Sequence, residues 1–160
     1  MVSKIKMLIM DVDGTLTDGK IYYGESGEEL KVFNIKDGLG IVKAQKCGII
    51  PVIITGRRSH IVDRRARELF VTEIHQGVSN KADLVRDIFE RYGLMGTDVA
   101  YIGDDENDID VMQKCGVIGC PKDAVKKVLD IADYVADHNG GDGAVRDFIE
   151  WIMDARVNPL

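Results

Sequence analysis

The sequence is poor in the residues that mark secreted, membrane-spanning or nucleic-acid-binding proteins. Its 160 residues include three cysteines, Cys47, Cys115 and Cys120, with no CxxC pair. A scattered odd set supports neither a disulfide framework nor a zinc site. Each lies in or beside an apolar stretch and reads as a small buried hydrophobe. A reducing cytoplasm is the location this implies. No apolar run approaches the roughly 20 residues that span a bilayer, so no membrane partner is expected. The apolar run after Lys4 and Lys6 stops at Asp11, too short for a signal peptide. No Pro/Ser-rich linker, internal repeat or low-complexity tract is present, and residues 1–160 read as one domain. Positive charge is also short. Lys and Arg number 21 against 27 Asp and Glu, and the net charge of −6 argues against a general nucleic-acid binder.

What is present is an alternation of strand and helix. Ile5–Met10 is apolar and β-prone and reads as a buried parallel strand. Lys20–Tyr23 and Glu29–Asn34 flank Gly24-Glu25-Ser26-Gly27 as a hairpin. The pattern then predicts a helix over Asp37–Lys46 capped by Asp37, and a strand over Ile49–Ile54. A helix over Ser59–Phe70 and a short strand over Glu73–His75 follow, then a helix over Asn80–Tyr92 ended by Gly93. Val99–Ile102, Val117–Cys120 and Tyr134–Ala136 are further strands; Glu106–Lys114, Lys122–Ile131 and Gly143–Ala155 are helices. This order specifies an α/β fold, a Rossmann-like doubly wound, mainly parallel sheet with a hairpin insert after its first strand. Right-handed crossovers put the loops that follow the strands on one edge.

Four motifs should converge at that edge. Asp11-Val12-Asp13-Gly14-Thr15 ends the first strand with two carboxylates pointing the same way. Such a pair can hold a divalent cation, attack a phosphoryl group or share acid–base work. Thr55-Gly56-Arg57 offers a hydroxyl, backbone N–H groups and a guanidinium fork for phosphate or carboxylate. Lys81 sits in the first turn of a helix, where the dipole disfavours a cation, a local inconsistency of the kind that marks functional sites. Gly103-Asp104-Asp105-Glu106-Asn107-Asp108 crowds acids that need a cation, and oxygen-only ligands favour Mg²⁺.

Taken in order, these motifs resemble the haloacid dehalogenase (HAD) superfamily, with its DxDx[TV], Thr/Ser, Lys and GDxxxD pattern. The resemblance implies that Asp11 is the nucleophile and that Asp13 protonates the leaving oxygen and then activates water. It implies that Thr55 and Lys81 hold phosphoryl oxygens, and that Asp11, Asp104 and the backbone carbonyl of Asp13 bind Mg²⁺. One of Asp105 and Asp108 would support the metal, and Asp108 would orient Lys81 or the metal waters. A narrower likeness is carried by Asp11–Gly19, the hairpin Ile21–Lys31, Phe33-Asn34 and Asp37-Gly38-Leu39-Gly40. Gln76-Gly77 and Gly140-Gly141-Asp142-Gly143-Ala144-Val145-Arg146 add to it. These resemble the 3-deoxy-D-manno-octulosonate 8-phosphate (Kdo-8-phosphate) phosphatases. That family implies no cap domain, a role in lipopolysaccharide precursor biosynthesis, and a homotetramer whose neighbouring subunits cover each active site.

Nine-carbon sugar-acid 9-phosphate phosphatases are the alternative, as is a catalytically silent assembly domain. Arg57 stands where some nine-carbon enzymes carry Glu, and with Arg65 it suits the carboxylate of an eight-carbon sugar acid. Asp37 and its glycines are expected to shape the pocket, and Arg146 to reach the same carboxylate. Trp151 is expected in the core or at a subunit contact.

Overall fold

The computed structural model describes residues 2–27 and 29–157. After a 3₁₀ turn, β1 (Met7–Met10) runs through the centre of the molecule. A small hairpin follows, β2 (Tyr22–Tyr23) and β3 (Glu29–Leu30), paired antiparallel. Then come α1 (Ile35–Lys46), β4 (Ile50–Thr55), α2 (His60–Glu68), β5 (Glu73–Gln76) and α3 (Lys81–Tyr92). The remainder comprises β6 (Val99–Ile102), α4 (Ile109–Met112), β7 (Val117–Cys120), α5 (Lys126–Leu129), β8 (Tyr134–Val135) and α6 (Ala144–Val157). Six strands form one parallel sheet in the order β5-β4-β1-β6-β7-β8. The strand order reverses beside β1, and in such sheets the crevice at that switch point is where ligands bind.

The two faces of β1 build two cores. Leu8 and Met10 point to one face, where α1, α2 and α6 deliver Ile41, Ala44, Val62, Ala66, Phe148 and Ile152. Met7 and Ile9 point to the other, against Val85 and Ile88 of α3, Val111 and Met112 of α4, and Val128 of α5. Strand alternation with burial on both faces explains why β1 is apolar throughout. Trp151 packs on the edge of the first core, stacked 4.9 Å from Tyr134 and 5.9 Å from Phe148.

The expected elements are present, with four shifts of physical origin. The hairpin strands are only two residues each. Helix α1 starts at Ile35 because Asn34 caps it, its side chain accepting the Lys36 N–H at 2.8 Å. Asp37 is the third residue of the first turn and is buried, so it is not the cap. The expected helix from Glu106 splits into a 3₁₀ turn over Glu106–Asp108 and the short α4. There Asp108 folds back to accept the N–H groups of Asp104 and Asp105, which tightens the turn. The helix expected from Lys122 begins only at Lys126, because the Val125 N–H is diverted to the Asp104 carbonyl. Of the cysteines, Cys120 is buried and Cys115 partly so, but Cys47 is exposed at the end of α1.

Candidate active site

Strands β4, β1 and β6 are neighbours, and their carboxyl ends bring Thr55, Asp11 and Asp104 together. A cleft of about 290 Å³ opens there, lined by Asp11, Asp13, Gly19, Thr55, Gly56, Arg57, Asp104, Asp105 and Asn107. Gly14 carries the chain out of β1 with φ of +94°, and its Cα lies so close to the Asp104 carboxylate that a side chain would overlap it. Only glycine satisfies both conditions at low cost.

Lys81 reaches under this edge from the start of α3. Its Nζ donates to Asp11 Oδ1 at 2.8 Å, to Asp108 Oδ1 at 2.6 Å and to the Tyr101 hydroxyl at 3.3 Å. Tyr101 in turn donates to Asp108 Oδ1 at 2.6 Å. The side chain of Lys81 is 3% exposed. Burial alone would lower its pKa, but the charges of Asp11 and Asp108 prevail and raise it. The ammonium therefore stays charged, and the dipole penalty at the helix start is offset by two carboxylates. Tyr101 is held well above its ordinary value by burial and by Asp108, so it remains a donor. Nothing in the sequence singles out Tyr101 for this role; it lies inside a strand that reads as plain core.

Carboxylate oxygens of Asp11, Asp104 and Asp108 lie within 4.8 Å of one another. Burial and the nearby Asp108 push Asp11 up to about 7, against the pull of Lys81. Burial and Asp11 push Asp104 up to about 7, opposed by a 2.9 Å hydrogen bond from the Thr15 hydroxyl. Three carboxylates therefore share this pocket with Lys81, and the excess negative charge favours a divalent cation. The oxygens of Asp108 are already occupied by Lys81, Tyr101 and two backbone N–H groups. Asp11 and Asp104 remain as the carboxylate ligands that an all-oxygen Mg²⁺ site would use. Asp108 is thus the support of Lys81, while exposed Asp105 caps its own turn through the Glu106 N–H.

Asp13 borders the same cleft, but its carboxylate stands outside the acidic cluster. It pairs with Lys31, from the return limb of the hairpin, and lies 3.9 Å from Arg57 Nε. Arg57 also donates to the Tyr23 hydroxyl at 3.4 Å, so the hairpin leans on two of the motifs. Within one chain the other expected substrate contacts lie elsewhere. Arg65 sits over the Phe33 ring and pairs with Glu68. With Asp37 it lines a separate cavity between α1 and α2. Asp37 is buried and accepts the Arg146 backbone N–H at 2.8 Å. The Arg146 guanidinium engages Glu150 and the Lys36 carbonyl, not the cleft. The glycine-rich segment before it serves a different purpose. Gly140 and Gly141 pack directly on the backbone of residues 14–18, and the Gly141 N–H donates to the Thr15 carbonyl at 3.0 Å. They brace the loop that carries Asp11 and Asp13.

A doubly wound parallel sheet whose central edge joins this aspartate pair, threonine, lysine and acidic loop has the architecture of the haloacid dehalogenase-like hydrolases. The family model of that description matches residues 66–149. The chain is 43% identical over 152 residues to the 3-deoxy-D-manno-octulosonate 8-phosphate phosphatase KdsC of Escherichia coli K12, covering 95% of this chain and 81% of that one. A crystal structure of the Moraxella catarrhalis enzyme of that name, in complex with magnesium, phosphate and KDO, superposes with a TM-score of 0.95 at 39% identity, covering 98% of this chain and 90% of that one. The Yersinia pestis enzyme gives a TM-score of 0.95 at 40% identity, with coverage of 98% and 84%. The chain belongs to the haloacid dehalogenase-like hydrolases and, within them, to the family of the 3-deoxy-D-manno-octulosonate 8-phosphate phosphatases.

Proposed function

We propose that this chain is a Mg²⁺-dependent phosphatase that converts 3-deoxy-D-manno-octulosonate 8-phosphate to Kdo and phosphate, a step toward lipopolysaccharide precursors. One observation carries the reading: the buried Asp11 carboxylate, held by Lys81 beside Asp104, faces the same open cleft as Asp13, Thr55 and Arg57. Mg²⁺ held by Asp11 and Asp104 supplies charge neutralisation for the phosphoryl oxygens. An Asp11 oxygen bonds to phosphorus as the bond to the sugar oxygen breaks, and Asp13 gives that oxygen its proton. Water then attacks phosphorus, loses its proton to Asp13, and releases Asp11. Lys81 and the Thr55 hydroxyl hold phosphoryl oxygens, and Gly56 supplies a backbone donor. Arg57, 40% exposed at the rim, reads the sugar-acid carboxylate.

We take residues 1–160 as one domain that works in the cytoplasm; among the described residues no helix is long and apolar enough to cross a membrane. We also take it to form a homotetramer with neighbours covering each cleft. Tyr23, Leu30, Val32 and Ile35 form a run of exposed apolar side chains on and after the hairpin, which suits a subunit contact. The test is a comparison of kcat/KM for Kdo-8-phosphate, a nine-carbon sugar-acid 9-phosphate and a simple sugar phosphate, with and without Mg²⁺. Kdo-8-phosphate should lead, and Arg57→Glu should cost it more than it costs the simple ester. Equal losses on both substrates would remove Arg57 from carboxylate recognition, and no Mg²⁺-dependent turnover of any of them would reject the enzyme. Light scattering checks the fourfold mass.

A further inference from the structure

We infer that Lys31, on the return limb of the hairpin, is a positioning residue for Asp13, so that the hairpin is a working part of the reaction. The inference rests on the proposed acid–base role of Asp13. Lys31 follows a strand of only two residues, on a hairpin that otherwise displays Ile21, Tyr22, Tyr23, Leu30 and Val32 to solvent. Its own side chain is nevertheless 2% exposed and ends on the Asp13 carboxylate. A buried ammonium is stable only when paired, so the pair defines where both ends sit. The hairpin is tied once more to the same loop and once to the loop after β4. The Tyr22 hydroxyl donates to Asp18 Oδ2 at 3.2 Å, and Arg57 donates to the Tyr23 hydroxyl at 3.4 Å.

Asp11, by contrast, is held by Lys81, from the start of α3. Two lysines from different parts of the chain thus hold the two aspartates of one motif. In the second half-reaction the Asp13 carboxylate takes a proton from the attacking water, which requires it to stand where the Lys31 contact holds it. Lys31 therefore governs the second half-reaction, hydrolysis of the phosphorylated Asp11.

The experiment compares wild type, Lys31→Met, Lys31→Arg and Asp13→Asn on Kdo-8-phosphate and on para-nitrophenyl phosphate. The nitrophenolate leaving group needs no protonation, so formation of the phospho-enzyme survives a misplaced Asp13 while its hydrolysis does not. Lys31→Met should release about one equivalent of nitrophenolate per chain in a burst. Steady turnover should then run on the order of 10- to 100-fold below wild type. Lys31→Arg should recover most of that rate. Should Lys31→Met fail to fold by circular dichroism, Lys31→Gln is read by the same criteria. Steady rates within about twofold of wild type, or a slow rate with no burst, would overturn the role of Lys31. If Asp13→Asn itself keeps wild-type turnover, the acid–base reading fails. If Asp13→Asn is impaired while Lys31→Met is normal, Lys31 alone is excluded.

Discussion

Replacing Lys81 by methionine keeps the length of the side chain and removes its charge. In the wild type the ammonium lies 2.8 Å from Asp11 and 2.6 Å from Asp108, both buried. The variant leaves two carboxylates facing each other at the end of the sheet. Truncating one partner of a buried ion pair costs about 3–5 kcal/mol. For a chain of this size that is a fall in Tm of roughly 6–20 °C. The pH dependence has a definite sign. Asp11 is raised in the folded state from 3.8 to about 7, so the native protein binds the extra proton. Stability is therefore lost as pH rises through that window and is level above it. Without Lys81 the carboxyl rises further, and the loss continues to higher pH. The gap between variant and wild type should be wide at about pH 8 and narrow at about pH 5. Mg²⁺ should restore part of it at the higher pH, by about 2.7 kcal/mol at 100 times its Kd. Thermal melts by circular dichroism, with Mg²⁺ or with chelator, read all three effects. A gap that is equal at both pH values, or below about 2 °C at the higher one, would refute the reasoning.

Two further outcomes follow from the same geometry. Asp37 is raised from 3.8 to about 6 by burial, partly opposed by the backbone N–H groups of Arg146 and Gly143. Its ionised form therefore costs up to about 3 kcal/mol, and that stability is lost between about pH 4 and pH 6. Asp37→Asn keeps an oxygen for the Arg146 N–H, so its Tm should exceed wild type near pH 7 and match it near pH 4; a lower Tm at pH 7 would contradict this. In Gly140→Ala the new methyl group would fall on the backbone of Gly14 and Thr17, which cannot rotate away. The variant should lose about 1–3 kcal/mol in a melt and kcat in a phosphatase assay, and unchanged values of both would show that the brace is dispensable.

Much of this site is legible in the sequence because chemistry sits at strand ends. Asp11, Thr55 and Asp104 each close an apolar strand, and parallel topology with right-handed crossovers sends all such ends to one edge. Lys81 is legible for the opposite reason, as a cation where the helix dipole rejects one. What escapes such reading depends on direction and reach. Lys31 looks like one more polar hairpin residue, and nothing local says that its ammonium turns inward to Asp13. Tyr101 looks like core, because a strand buried on both faces hides which hydroxyl meets a carboxylate. Asp37 and Arg146 fit a polar pocket by composition, yet they meet each other across α1 and α6 and leave the cleft to Arg57.

The sequence by itself therefore determined the sheet, its edge, and the four groups from which phosphate chemistry would be built. Period, polarity and strand-end position are local properties, and a parallel sheet converts them into a shared edge without further information. Tertiary structure alone decided the pairings. Lys81 binds Asp11 and Asp108, Lys31 binds Asp13, and the glycines of residues 140 and 141 press on the loop between them. Those contacts join residues tens of positions apart, and only the packing of hairpin, helix and loop over one sheet edge brings a given cation to a given carboxylate.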